Sequence, residues 1–211
     1  MIDICVNSAP IIIIANCRSG STALAFHLAN KYGLKCFIEP FDNHNVLSFP
    51  QHKKDFINFI LSKRKDFVLK FMAGQITEFN CYEQMAKSSY FKIKLNRRNK
   101  VEQILSLYVA DKREKYAKLK TETKQVYSIP IDLKHLVYVS SGILRNDFLL
   151  NNLPFTYNLD LIYEDLGFIK DTDHTFSDLP DNAEEIKEEI KKILNLQWDS
   201  IERSYLRFKS S

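Results

Sequence analysis

The sequence predicts an α/β fold: one domain, residues 1–211, with a central, mostly parallel sheet flanked by helices. Three observations carry this expectation. Residues 11–14 are four consecutive isoleucines between Pro10 and a polar loop. A strand buried on both faces reads this way, and such strands belong to parallel sheets covered by helices. Further short apolar runs alternate with stretches of helical period along the chain, the order expected of βα units. Finally, 211 residues with 45% hydrophobic and 27% charged content suffice for one sizeable core. No repeat, low-complexity tract or linker divides them.

The elements follow in order. After the strand at 11–14, residues 21 to about 31 turn helical, with Leu24, His27 and Leu28 at helical spacing, and Gly33 ends the run. Residues 35–39 form a second strand and 55–63 a helix with Phe56, Phe59 and Ile60 on one side. Residues 67–71 and 91–95 are further strands. The helix from 101 to about 119 has the clearest pattern: Val101, Ile104, Leu105, Tyr108 and Val109 recur at i, i+3, i+4, i+7 and i+8. Asn99 is its expected N-cap, with Glu102 completing a capping box. A helix over 131–150, a strand over 155–163 and a helix over 181–195 capped by Asp181 follow, and a last aromatic segment (Trp198, Tyr205, Phe208) is expected to pack back on the core.

Composition narrows the function. A net charge of +4 suits an anionic ligand but not the dense basic stripe of a nucleic-acid binder. The four cysteines (Cys5, Cys17, Cys36, Cys81) form no CxxC pair and no zinc-spaced cluster, so they read as free thiols in a reducing compartment. No apolar run approaches the ~20 residues of a membrane span, and the N-terminus lacks the basic start of a signal peptide. The expected location is cytoplasmic.

Two segments carry chemistry. The first, Ala15-Asn16-Cys17-Arg18-Ser19-Gly20-Ser21-Thr22, joins the buried strand to the first helix. A helix N-terminus offers unpaired N–H groups and positive potential, which favour phosphate. Gly20 permits close backbone approach, Ser19, Ser21 and Thr22 add hydroxyls, and Arg18 adds a charge. The same residues are also ordinary helix-capping vocabulary. The loop is not a Walker A sequence, because no glycine opens it and no lysine follows Gly20. Nor does Cys17, with Arg18 beside it, have the spacing of a cysteine phosphatase. The second segment ends a strand with Arg97-Arg98-Asn99-Lys100, and Ser106 lies eight residues beyond Arg98 on the next helix. This is either a second anion site at the carboxyl edge of the sheet or a solvated basic cluster.

Together these residues resemble sulfotransferases that use 3′-phosphoadenosine 5′-phosphosulfate (PAPS). Residues 17–22 resemble the family's 5′-phosphosulfate loop, P-[KR]-[ST]-G-[ST]-[ST], with Cys17 at the proline position. Arg98 and Ser106 resemble its 3′-phosphate motif. Glu39-Pro40-Phe41 is similar to the E-P-F of many bacterial and carbohydrate-type members, and Tyr163-Glu164-Asp165-Leu166 to their Y-E-D-L. The matches run in family order. The R-K-G-x-x-G-D-W-K segment of cytosolic members has no counterpart, which points to the bacterial and carbohydrate-type branch.

The resemblance implies a P-loop-like fold and a sulfotransferase acting on a hydroxyl of a small molecule, lipid or glycan. Arg18 with Ser19, Gly20, Ser21 and Thr22 would cradle the 5′-phosphosulfate, and Arg98 and Ser106 would hold the 3′-phosphate. Glu39 would be the general base and Lys70 would lie near the transferring sulfonate, with no metal required. His44 and His52 are alternative bases, as histidine is in the cytosolic branch. Lys70 also reads as a strand-end lysine reaching solvent. The alternatives are a P-loop nucleotide kinase or related phosphotransferase, and a non-catalytic nucleotide-binding protein.

Overall fold

The computed structural model describes residues 10–38, 66–78, 85–86, 90–116, 128–167 and 179–209, the side chains of 77–78, 113–116 and 197–209 excepted. The chain groups into two compact units, residues 1–98 with 146–173 and residues 99–145 with 174–211. The described elements are β1 (Ile11–Ala15), α1 (Ser21–Tyr32), β2 (Lys35–Ile38), β3 (Phe67–Met72), α2 (Ala73–Glu78), β4 (Phe91–Asn96), α3 (Lys100–Tyr116), α4 (Leu133–Asn152), β5 (Leu159–Ile162), a 3-10 turn (Tyr163–Asp165) and α5 (Ala183–Lys209).

The first unit holds a five-stranded sheet in the order β2-β3-β1-β4-β5. Every pairing is parallel. β1 is central, with Ile13 opposite Lys70 on one side and Ile93 on the other. Period-two alternation sends its side chains to two cores. Ile11, Ile13 and Ala15 join Val68, Ile93, Leu95 and Tyr163 beneath Leu24, Ala25 and Leu28 of α1. Ile12 and Ile14 join Phe67, Leu69, Phe71, Ile76 of α2 and Leu150 of α4 on the opposite face. All four isoleucines are fully buried, at roughly 1.5–3 kcal/mol each. The loop leaving β1 is thereby fixed to the most deeply held strand. Gly33, at φ 64°, closes α1 by donating its N–H to the Ala29 carbonyl, a left-handed cap that favours glycine.

Strand β5 is shorter than the sequence suggests. Residues 155–157 do not join the ladder: the Phe155 N–H turns back to the Leu153 carbonyl at 2.9 Å, and the Phe155 and Tyr157 rings meet edge to face at 5.4 Å. Pairing begins at Asn158, whose side-chain oxygen accepts the Lys92 N–H at 2.8 Å and whose own N–H reaches the Lys92 carbonyl at 2.9 Å. Tyr163, expected in the strand, opens the 3-10 turn.

The second unit is helical. Asn99 caps α3 as expected, its side chain accepting the Glu102 N–H at 3.1 Å. The Glu102 carboxylate meets Lys187 of α5 at 2.8 Å, tying two helices whose buried residues include Ile104, Leu105 and Tyr108 on α3 and Ile186 and Ile190 on α5. The Tyr108 hydroxyl donates to the Pro130 carbonyl and accepts the Asp132 N–H. The Asp132 carboxylate caps α4 through the His135 N–H and accepts from Lys112. α5 begins at Ala183, two residues later than expected, and runs on through the aromatic segment to Lys209. Asn182, not Asp181, precedes it, because the Asn182 amide is held by both backbone groups of Ile129. The helix expected at 55–63 lies outside the described residues, and no helix of the described residues is long and apolar enough to cross a membrane.

Candidate anion-binding site at the β1–α1 loop

The loop's shape is written in its backbone. Arg18 has φ 55° and Gly20 has φ 74°. Glycine adopts this region freely, whereas an L-residue with a side chain pays on the order of 1–2 kcal/mol. Arg18 is the one non-glycine residue in that region among the described residues. Ser19, fully buried, donates its hydroxyl to the Asn16 carbonyl at 2.7 Å. The Leu24 N–H closes the first turn of α1 on the Gly20 carbonyl at 3.0 Å. Gly20 stands at the N-cap and offers no side-chain cap, and the first turn carries no acidic side chain. No acidic side chain of the turn itself offsets its positive end, an arrangement that favours an anion.

Cationic side chains converge here from neighbouring strands. Lys70, on β3, is 4% exposed and donates from Nζ to the Thr22 hydroxyl at 3.1 Å. It shares a strand face with Val68, the face that α1 covers, so its stem runs beneath the helix and its ammonium emerges at the first turn. The reading of Lys70 as a lysine reaching out to solvent is set aside by that burial. Beyond β4, Arg97 is 6% exposed, and its Nη1 donates to the Arg18 carbonyl at 3.0 Å. Its guanidinium lies over the Tyr163 ring, 4.7 Å from the centroid. Its Nε is buried with no hydrogen-bond partner among the described residues. Arg98 turns the other way. Its side chain is exposed and reaches Asp165 at 3.3 Å, while its N–H is held by Glu164 at 2.9 Å.

The loop is also braced from α4. Asn16 is fully buried; its amide nitrogen donates to Asp147 at 2.8 Å and its oxygen accepts the Cys17 N–H at 2.8 Å. Cys17 and Cys36 are free thiols. Burial pushes the Cys36 thiol up, with the Lys70 ammonium opposing, so it stays protonated near neutral pH. Burial, with the Asp160 charge beside it, likewise raises the Tyr157 hydroxyl well above its usual range.

The structure thus brings Arg18, Ser19, Gly20, Ser21, Thr22 and Lys70 to one junction. Arg98 stands at the end of β4, and Ser106 lies part-buried on α3 in the second unit. Glu39, with Pro40 and Phe41, and both His44 and His52 fall outside the described residues. Three residues of the site are not among the sequence candidates: Asn16, Asp147 and Arg97. A signal for Arg97 exists, since continuing the period of Ile93 and Leu95 places it on their buried face. Asp147 has no local signal, because its partner is 131 residues away. Among the described residues no group of three His, Cys, Asp or Glu is placed to hold a metal ion.

No family model matches the chain, and no curated protein matches it. Among solved structures it is similar to a shikimate kinase from Acinetobacter baumannii in complex with shikimate, at 15% identity and TM-score 0.43, over 90% of this chain and 94% of that one. The α/β class follows from the parallel sheet and its strand order, independently of that distant likeness.

Proposed function

We propose that the protein is a sulfotransferase that moves a sulfonate group from PAPS to a hydroxyl of a small-molecule, lipid or glycan acceptor. One observation supports this above the rest: the Lys70 ammonium, reaching from β3, meets Thr22 at 3.1 Å in the first turn of α1, a turn with no acidic side chain of its own. The fit to a phosphosulfate is chemical. The N–H groups at the start of α1 and the hydroxyls of Ser21 and Thr22 suit phosphate oxygens, while the Ser19 hydroxyl, spent on the Asn16 carbonyl, shapes the loop. Arg18 and Lys70 suit the charge that grows on the bridging oxygen as the sulfur–oxygen bond breaks.

PAPS supplies the activated sulfonate. In this reading Arg18 and Lys70 stabilise the departing phosphate, and Arg98 holds the 3′-phosphate. Glu39 takes the proton from the acceptor hydroxyl as its oxygen bonds to sulfur, a role worth ~10²–10⁴-fold. The products are the sulfated acceptor and adenosine 3′,5′-bisphosphate.

A second reading draws on the same lysine. Lys70 reaches the loop from β3 and could supply the charge that a Walker lysine supplies beside the last glycine, which favours a P-loop phosphotransferase using ATP. Titration separates the two. The sulfotransferase reading expects adenosine 3′,5′-bisphosphate to bind without metal and to displace any ATP. Binding of ATP with Mg²⁺, and none of the bisphosphate, would decide for the kinase. Tight bisphosphate binding with no turnover on a broad acceptor panel, and no effect of Glu39→Gln, would leave a nucleotide-binding protein.

A further inference from the structure

We infer that Arg97 is a positioning residue: held over Tyr163, it fixes Arg18 in its left-handed conformation, so that the turn Tyr163–Asp165 sets the shape of the anion loop. The inference deepens the reading above and rests on it only for the identity of the ligand.

Four observations join up. Arg18 is the strained residue of the loop, at φ 55°. Its carbonyl accepts from Arg97 Nη1 at 3.0 Å. Arg97 is nine-tenths buried, in a place where a guanidinium is costly unless something holds it. That holder is the Tyr163 ring at 4.7 Å, itself part of the core beneath α1. A charged donor aimed at a carbonyl stabilises the peptide orientation that a left-handed Arg18 produces. The two adjacent arginines therefore divide the work. Arg97 points inward and shapes the loop. Arg98 points outward, its N–H on Glu164 and its side chain on Asp165. Both are seated by three consecutive residues, which gives each of Tyr163, Glu164 and Asp165 a separate task. The buried Nε of Arg97, with no partner among the described residues, is a cost that a purely structural core would avoid by using an apolar residue.

The test compares Arg97→Lys, Tyr163→Leu and Tyr163→Phe in the full chain without ligand. The readout is hydrogen exchange at the amides of Cys17 and Leu24, both bonded within the loop. Amides of β1 and β3 report folding. Arg97→Lys and Tyr163→Leu are expected to speed loop exchange about tenfold or more. Tyr163→Phe, which keeps the ring, is expected to stay within about twofold. In an Arg18→Gly background the effect of Arg97→Lys should shrink to under about threefold, because glycine takes the left-handed region without strain. Unchanged loop exchange in Arg97→Lys and Tyr163→Leu, with β1 and β3 still protected, overturns the inference. So does an undiminished effect in the Arg18→Gly background, which would mean plain packing. Should Arg97→Lys fail to fold, Tyr163→Leu against Tyr163→Phe decides alone. Affinity for adenosine 3′,5′-bisphosphate is read in parallel. If the wild type does not bind it while the exchange pattern holds, the sulfonate-donor reading fails and the positioning role stands.

Discussion

Replacing Lys70 by methionine isolates one charge at the loop. Methionine keeps an unbranched stem on the strand face shared with Val68 and removes only the ammonium that meets Thr22 at 3.1 Å. An anion seated on the first turn of α1 would lie about 4 Å from that ammonium, worth ~4 kcal/mol at an effective dielectric of 20. Desolvation of Lys70 and the competing Thr22 hydroxyl offset part of this. What remains is the ~1.5–3 kcal/mol of a hydrogen bond to a charged group, or about 10- to 150-fold in affinity. Stability should move little: among the described residues the hydrogen bond to Thr22, ~1 kcal/mol, is lost, and a buried charge is removed with it. The melting temperature should therefore stay within about 4 °C. Calorimetric titration with adenosine 3′,5′-bisphosphate and with adenosine 5′-phosphate should show equal losses, because Lys70 serves the end common to both. A folded Lys70→Met protein that binds either ligand with wild-type affinity refutes the assignment.

Other perturbations separate the remaining parts. Arg98→Ala should weaken binding of the bisphosphate about tenfold or more while leaving adenosine 5′-phosphate within about twofold; equal losses would remove Arg98 from the 3′-phosphate. Asp147→Ala leaves the buried Asn16 amide short of its acceptor, at a cost of ~1–3 kcal/mol. A melting temperature lower by about 2–10 °C is expected, and an unchanged one would show that Asp147 does not brace the loop. Asp132 has its carboxyl held below the usual range, first by the His135 N–H and then by Lys112. Its folded-state value lies under its unfolded one, so its contribution is full above about pH 4 and is lost as pH falls through the lower value. Urea unfolding of Asp132→Asn against wild type should show a gap that narrows on acidification; a gap that widens would contradict the capping geometry.

How much of this the sequence carries depends on whether the partner is local. β1 is legible because a strand buried on both faces must be apolar at every position. Gly33 and Asn99 are legible because caps are made within a few residues. The start of α5 is not, since Asp181 and Asn182 are both good caps and the choice falls to a contact with Ile129, more than fifty residues earlier. Residues 155–157 look like strand because they are aromatic and alternating, yet their rings pack while Asn158 opens the ladder. In the site, loop chemistry shows in residues 17–22 and the period of Ile93 and Leu95 marks Arg97 as the inward arginine, but the ring it lies against, Tyr163, is far along the chain. The brace between Asn16 and Asp147 spans 131 residues and leaves no local trace.

The most direct test of the account is a structure of the protein with adenosine 3′,5′-bisphosphate. The account predicts the 5′-phosphate within hydrogen-bond distance of the residue 19–22 amides and of Lys70, and the 3′-phosphate on Arg98. A 3′-phosphate away from Arg98, or a loop that accepts ATP with Mg²⁺ and leaves the bisphosphate unbound, would contradict it.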